Sequence, residues 1–111
     1  MVTKVDRALL PIGSVVMLKG ARVPLMVYGR IQKSLGDDSL WDYLGVVYPE
    51  GFIDAEHTFL FDDSQVETLV FLGFQSPREL LLNDRLRRFR NGEEVGEWPT
   101  VGNTPIDDNM A

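Results

Sequence analysis

Val66-Glu67-Thr68-Leu69-Val70-Phe71-Leu72-Gly73-Phe74-Gln75-Ser76-Pro77-Arg78-Glu79 is the stretch in which the chain changes its period. Its first nine residues are mostly β-branched, aromatic and leucine residues, the composition of a strand. Its last four open a helix. Ser76 is a cap, Pro77 takes the first helical position, and Glu79, three residues beyond the cap, completes the pattern of a capping box. The helix is expected to run to Phe89 or Arg90 and to stop at Asn91-Gly92. Leu82, Leu86 and Phe89 recur at spacings of four and three and share one face. Arg85, Arg87, Arg88 and Arg90 gather at the C-terminal end, where they complement the helix dipole.

Everything before this stretch reads as strands and turns. Gly13–Gly20 is an apolar run closed by glycines, and Val23–Gln32 is a second run in which Pro24 fits only at the start or on an edge. The two-residue link Ala21-Arg22 makes them an antiparallel hairpin, with Gly20 supplying the unusual dihedral angles. After the polar loop 33–39, Leu40–Tyr48 carries apolar groups on both faces, Trp41 and Tyr43 on one and Leu44, Val46 and Tyr48 on the other. Such a strand is expected to be central in a sheet or covered on both sides. Pro49-Glu50-Gly51 is a turn, 52–57 an irregular loop with one helical turn, Thr58–Phe61 a short strand, and Asp62–Gln65 another brief helical turn. Four or five strands followed by one helix predict an α+β domain: a small antiparallel sheet or partly open barrel of four to five strands with one C-terminal helix. The edges of an open sheet must be covered or used. We expect a single domain over 1–91 and a disordered acidic tail over 92–111, with Val95 and Trp98 as its one apolar spot.

The 111 residues suffice for one core, without disulfides or metal. The chain has no cysteine, which excludes a disulfide framework, a zinc–thiolate site and a thiol nucleophile and fits a reducing compartment. Pro11 and Gly13 interrupt Ala8-Leu9-Leu10, so no signal peptide is expected, and no apolar run approaches the ~20 residues of a membrane span. The expectation is a cytoplasmic protein. The net charge of −6 is spread as −4 over residues 1–75, +3 over 76–91 and −5 over 92–111. An acidic body repels phosphate backbones and argues against nucleic acid as a partner. The +3 segment beside the −5 segment motivates one regulatory expectation, that the tail folds back on the arginines until a partner displaces it.

Little here resembles catalytic chemistry. His57, the sole histidine, stands near Glu50, Asp54, Glu56, Asp62 and Asp63, a set that could hold a divalent ion or move protons. It lacks the spacing of a zinc-protease helix or an EF-hand, and an imidazole among loop acids reads as a solvated turn. No phosphate-binding glycine loop or nucleophile elbow is present. The reading is therefore of a binder, with no catalytic, cofactor or metal residues assigned.

The ordered segments Leu10-Pro11-Ile12-Gly13-Ser14-Val15-Val16, Pro24–Arg30, Trp41-Asp42-Tyr43-Leu44-Gly45-Val46-Val47-Tyr48-Pro49-Glu50-Gly51, Phe61-Asp62 and Val70-Phe71-Leu72-Gly73-Phe74 resemble the family named domain of unknown function 4176 (DUF4176) across roughly residues 9–75. Its members are small proteins of Gram-positive bacteria, often encoded beside LXG-type toxins of type VII secretion systems. The resemblance implies a cytoplasmic chaperone or targeting adaptor that binds an LXG effector before export. It implies no catalytic residues. The alternative from the same neighbourhood is an immunity protein that inhibits the cognate toxin, and a hydrolase or metal-dependent enzyme centred on Asp54, Glu56 and His57 is the third reading. The candidate partner-binding residues are Tyr28, Arg30, Trp41, Tyr48 and Phe52, joined by Leu82, Leu86 and Phe89 if the helix is not fully buried. Gly13, Gly29 and Gly51 are assigned to backbone geometry, and Trp41 and Tyr43 to packing.

Overall fold

The computed structural model describes residues 8–34, 36 and 38–93. The expected acidic tail, with Val95 and Trp98, and its return to the arginine cluster lie outside the described residues, apart from Gly92 and Glu93.

The chain forms β1 (Val15–Leu18), β2 (Leu25–Lys33), β3 (Leu40–Val47), β4 (Thr58–Phe61), β5 (Val66–Phe71) and α1 (Pro77–Arg90). Single 3-10 turns at Ala55–His57 and Asp63–Gln65 flank β4. The strands make one open antiparallel sheet in the order β4-β3-β2-β1-β5. The expected α+β class thus holds in its open-sheet form. The expected hairpin is present: β1 pairs with β2, and Gly20 takes a φ of +76° at the turn. Pro24 precedes β2, where it withholds no ladder hydrogen bond, and its carbonyl accepts the Tyr48 amide at 3.0 Å. β3, apolar on both faces, lies inside the sheet between β2 and β4.

One register shift in β2 decides which of its side chains turn toward the helix and which toward water. Leu25, Met26 and Val27 pair with Val47, Val46 and Gly45, whereas Gly29 and Arg30 pair with Leu44 and Tyr43. One residue of β2 is therefore extra, a bulge at Tyr28–Gly29. Gly29 is not in a left-handed conformation, contrary to what its assignment to backbone geometry suggests. A Cβ there would come closest to the movable Gln32 amide, at 3.3 Å. Gly13 and Gly51, by contrast, do adopt positive φ.

The core is small. Val16, Val27, Tyr43 and Phe61 have no solvent exposure and pack with Leu9, Leu25 and Leu86. Each such burial is worth about 1.5–3 kcal/mol. Gly45 permits it, because a Cβ there would fall 2.8 Å from the Phe61 ring. β5 stops three residues earlier than Phe74, the expected end. The cause is Gly73, whose amide leaves the ladder to donate to the fully buried Ser14 Oγ at 2.9 Å. Gly73 also lies so close to the backbone of Ile12 and Ser14 that any side chain would collide with them.

Candidate functional site

The surface divides into a closed flank, where α1 lies on the sheet, and two apolar areas that nothing among the described residues covers.

The closed flank is held at three points along α1. Near its start, Arg30 reaches Glu79 through two parallel bonds, Nη1 to Oε2 at 2.6 Å and Nη2 to Oε1 at 2.8 Å, with both side chains nearly buried. Burial pushes the Glu79 carboxyl up, but the hydrogen bonds from Arg30 and Asn83 and the Arg30 charge outweigh it and hold the group below its usual range. Ser76 Oγ caps the helix by accepting the Glu79 amide at 3.1 Å. The carboxylate expected to return to Ser76 bonds Arg30 and Asn83 instead. In mid-helix, Asn83 exchanges hydrogen bonds with both backbone groups of Leu9, at 3.0 and 2.6 Å, while Leu86 enters the core. At the far end Arg90 Nη1 lies 3.4 Å from Asp42 Oδ1.

Asp42 belongs to a second network that ties β3 to the turn after β4. Its amide donates to Asp62 and its carboxylate accepts the Asp63 amide, at 3.0 and 2.9 Å. Asp62's own amide donates to Gln65 Oε1 at 2.8 Å. The Tyr43 hydroxyl donates to Asp63 and accepts the Leu10 amide, both at 2.9 Å. Burial drives the Tyr43 phenol far above its ordinary pKa, so it stays a neutral donor.

The first open area is aromatic. Tyr28, on the bulge, stacks on Phe52 with ring centroids 5.6 Å apart and planes 15° from parallel. Tyr48, Phe52 and Ile53, from the loop after β3, are all about half exposed. The second is the β5 edge and the segment after it. Between residues 69 and 81 seven large apolar side chains are exposed, from Leu69 to Leu81, with Phe74 at 82% and Leu81 at 72%. Between the C-terminal half of α1 and strands β2 and β3 lies a groove of about 320 Å³ lined by Arg30, Ile31, Lys33, Leu40, Leu86 and Phe89. Ile31 takes a left-handed φ of 52° at its wall, a conformation that a β-branched residue adopts only under strain.

The candidate contact residues therefore separate. Tyr28, Tyr48 and Phe52 are together at the surface. Arg30, two positions from Tyr28, should share its face in a regular strand, yet the bulge turns it under α1, where it is 8% exposed. Leu86 is core, Leu82 packs against the core, and Phe89 is half-buried in the groove wall. The clamped helix thus offers no free Leu82–Leu86 face for docking. Trp41 is half-buried on β3, with its indole nitrogen enclosed and without a hydrogen-bond partner among the described residues. The residues that the sequence reading missed are Val70, Phe71, Phe74, Leu80 and Leu81. Their signal was present: no charged residue occurs from Thr68 to Pro77.

The charged candidates are engaged locally. Asp54 Oδ1 caps the 3-10 turn through the His57 amide and contacts His57 Nδ1 at 2.6 Å, on an exposed loop. The hydrogen bond from His57 holds the Asp54 carboxyl below its usual range. Among the described residues no group of three or more His, Cys, Asp or Glu could hold a metal ion. On α1, Asp84 pairs with Arg87 at 2.7 Å and Arg88 at 3.2 Å, and the Arg87 hydrogen bond keeps its carboxyl low. Among the described residues no helix is long and apolar enough to cross a membrane.

A family model described as domain of unknown function (DUF4176) matches residues 9–82, from just before β1 to the second turn of α1. No curated protein and no solved structure matches the chain.

Proposed function

The chain belongs to the DUF4176 family, and from that premise we propose that it is a protein-binding accessory factor. In this proposal it is a cytoplasmic chaperone or targeting adaptor for an LXG-type toxin effector of a type VII secretion system. The effector docks on the aromatic area. The observation that carries the reading is the exposed Tyr28–Phe52 stack with Tyr48 and Ile53 beside it. Rigid aromatic groups that are half open to water lose little conformational entropy on binding and are the usual energetic centre of a protein interface. The closed flank supports the same reading: α1 is clamped at both ends, so the sheet presents these rings from a fixed frame.

The test is co-purification with the LXG-type effector encoded beside this chain, using the wild type and Phe52→Asp. Wild type is expected to co-purify with the effector, and Phe52→Asp to weaken binding at least about 30-fold, the scale of a hot-spot residue. Deletion is expected to abolish effector export. An immunity protein would instead protect a cell that expresses the toxin domain alone. Such protection, or an effector complex indifferent to Phe52→Asp, overturns the proposal.

A further inference from the structure

β5 is an edge strand whose register against β1 shifts twice, at Glu67 and at Val70, but which has no proline and only one charge, Glu67. It pairs with β1 on one side and with nothing described on the other. Edge strands are blunted by charge, proline, shortness, bulges or a covering element, and of these β5 has its bulges and Glu67. The other edge, β4, follows this rule: it has four residues, a 3-10 turn at either end, and Asp62 and Asp63 immediately after it. β5 has six residues, and after Glu67 the chain carries neither charge nor proline until Pro77.

The amount of open apolar surface is more than a lone domain leaves uncovered. The exposed fractions of the seven large apolar side chains between Leu69 and Leu81 amount to about four whole residues. At ~150–250 Å² for a large side chain that is roughly 600–1,000 Å². The largest apolar patch of a typical monomer is about 300–600 Å², and one side of a standard stable interface is about 800 Å². The combined area, spread over both faces of the β5 edge and the start of α1, is of the size that one side of an interface buries.

We infer that this surface is a homodimer interface, in which β5 of two copies pairs antiparallel to make one continuous ten-stranded sheet. Antiparallel pairing of a strand with itself is two-fold symmetric, so the surface must complement itself. β5 meets that requirement. With the axis at any position from Leu69 to Leu72, Glu67 faces an uncharged residue of the partner copy, between Phe71 and Gly73 or at Gln75 and beyond. Two chains of net charge −6 repel one another, and their contact is workable where the surface carries no charge. A two-fold axis perpendicular to the sheet also leaves both copies of α1 on the same face. The aromatic area around Tyr28 stays outside this seam, so the inference stands apart from effector binding.

The absence of cysteine makes the test direct. The purified full chain is followed by sedimentation velocity from about 1 to 100 µM, the range for an interface of this size. A concentration-dependent dimer is expected. Val70→Lys is expected to weaken it at least tenfold, and Tyr28→Ser to leave it unchanged. Independently, single cysteines are placed in turn at Leu69, Val70, Phe71 and Leu72 and oxidised. In an antiparallel self-pair one position faces its own copy, at a Cα separation of about 4.5–5.5 Å that suits a disulfide. One maximum of cross-linking along the scan is expected, with Tyr48→Cys not cross-linking. A monomer throughout the concentration range, a flat scan, or equal cross-linking at Tyr48→Cys overturns the inference. The cysteine scan keeps the apolar character of the edge and decides the matter even if Val70→Lys does not fold.

Discussion

The flank under α1 and the flank at β5 are built from similar apolar material and end in opposite states. Under α1, charge is buried and paired: Arg30 with Glu79, Asp42 with Arg90, the Tyr43 hydroxyl between Leu10 and Asp63. From Thr68 to Pro77 no charge occurs, yet Phe71 and Phe74 stand in water. Hydrophobicity alone does not decide what is inside. The closed flank is closed because directional bonds fix the helix over one part of the sheet, and the open flank is what one fourteen-residue helix cannot reach.

This contrast makes a graded set of expectations. Removing one partner of the buried ion pair should do the most harm. Arg30→Ala is expected to cost about 3–5 kcal/mol, because it strands Glu79. The double change Arg30→Met with Glu79→Leu should recover most of that loss, since a packed apolar pair often matches a buried ion pair. Urea unfolding measures both, and equal losses in the single and double variants would break the idea that stranded charge is the cause. Gly73→Ala, at the junction of the two flanks, is expected to cost about 1–3 kcal/mol through overpacking against Ile12 and Ser14. Tyr43→Phe removes the acceptor of the Leu10 amide and one hydrogen bond to the Asp63 carboxylate and should cost about 1–2 kcal/mol. On the open flank, Leu81→Gln should change monomer stability by no more than about 0.5 kcal/mol when measured at dilution. A large loss there would mean that the flank is not open in the monomer.

Acid sharpens the same comparison. The Glu79 carboxyl is held below its ordinary value near 4.5 in the folded chain. Its contribution is complete above that value and fades as pH falls through the lower folded one, because the unfolded chain then binds the proton more readily. Wild type should therefore lose stability below about pH 4.5 more steeply than Glu79→Gln, as read from thermal unfolding at stepped pH.

Much of the fold could be read from local chemistry. β-branched runs between glycines, the doubly apolar β3, the Ser76-Pro77 start and the Asn91-Gly92 stop all express preferences of neighbouring residues, and each element lies within a few residues of its expected bounds. The candidate site was less legible. Tyr28 and Arg30 are two apart and were expected to act together, but one inserted residue at Gly29 sends them to opposite faces. Leu82 and Leu86 were docking candidates only on the condition that the helix is not fully buried, and Arg30, Asn83 and Arg90 hold them down. The uncharged run from Thr68 to Pro77 was visible, but its exposure depends on strand order.

By itself, then, the sequence determined the element types, their order and the absence of thiol chemistry, because propensity, capping and composition are properties of adjacent residues. Tertiary structure alone decided which apolar groups are covered. Strand order puts β1 between β2 and β5, a single bulge sets the facing of β2, and pairings across 49 and 74 residues, Arg30 to Glu79 and Leu9 to Asn83, place the helix. Such contacts exist only once distant segments meet, and their geometry, more than their composition, leaves β5 and its apolar extension facing outward.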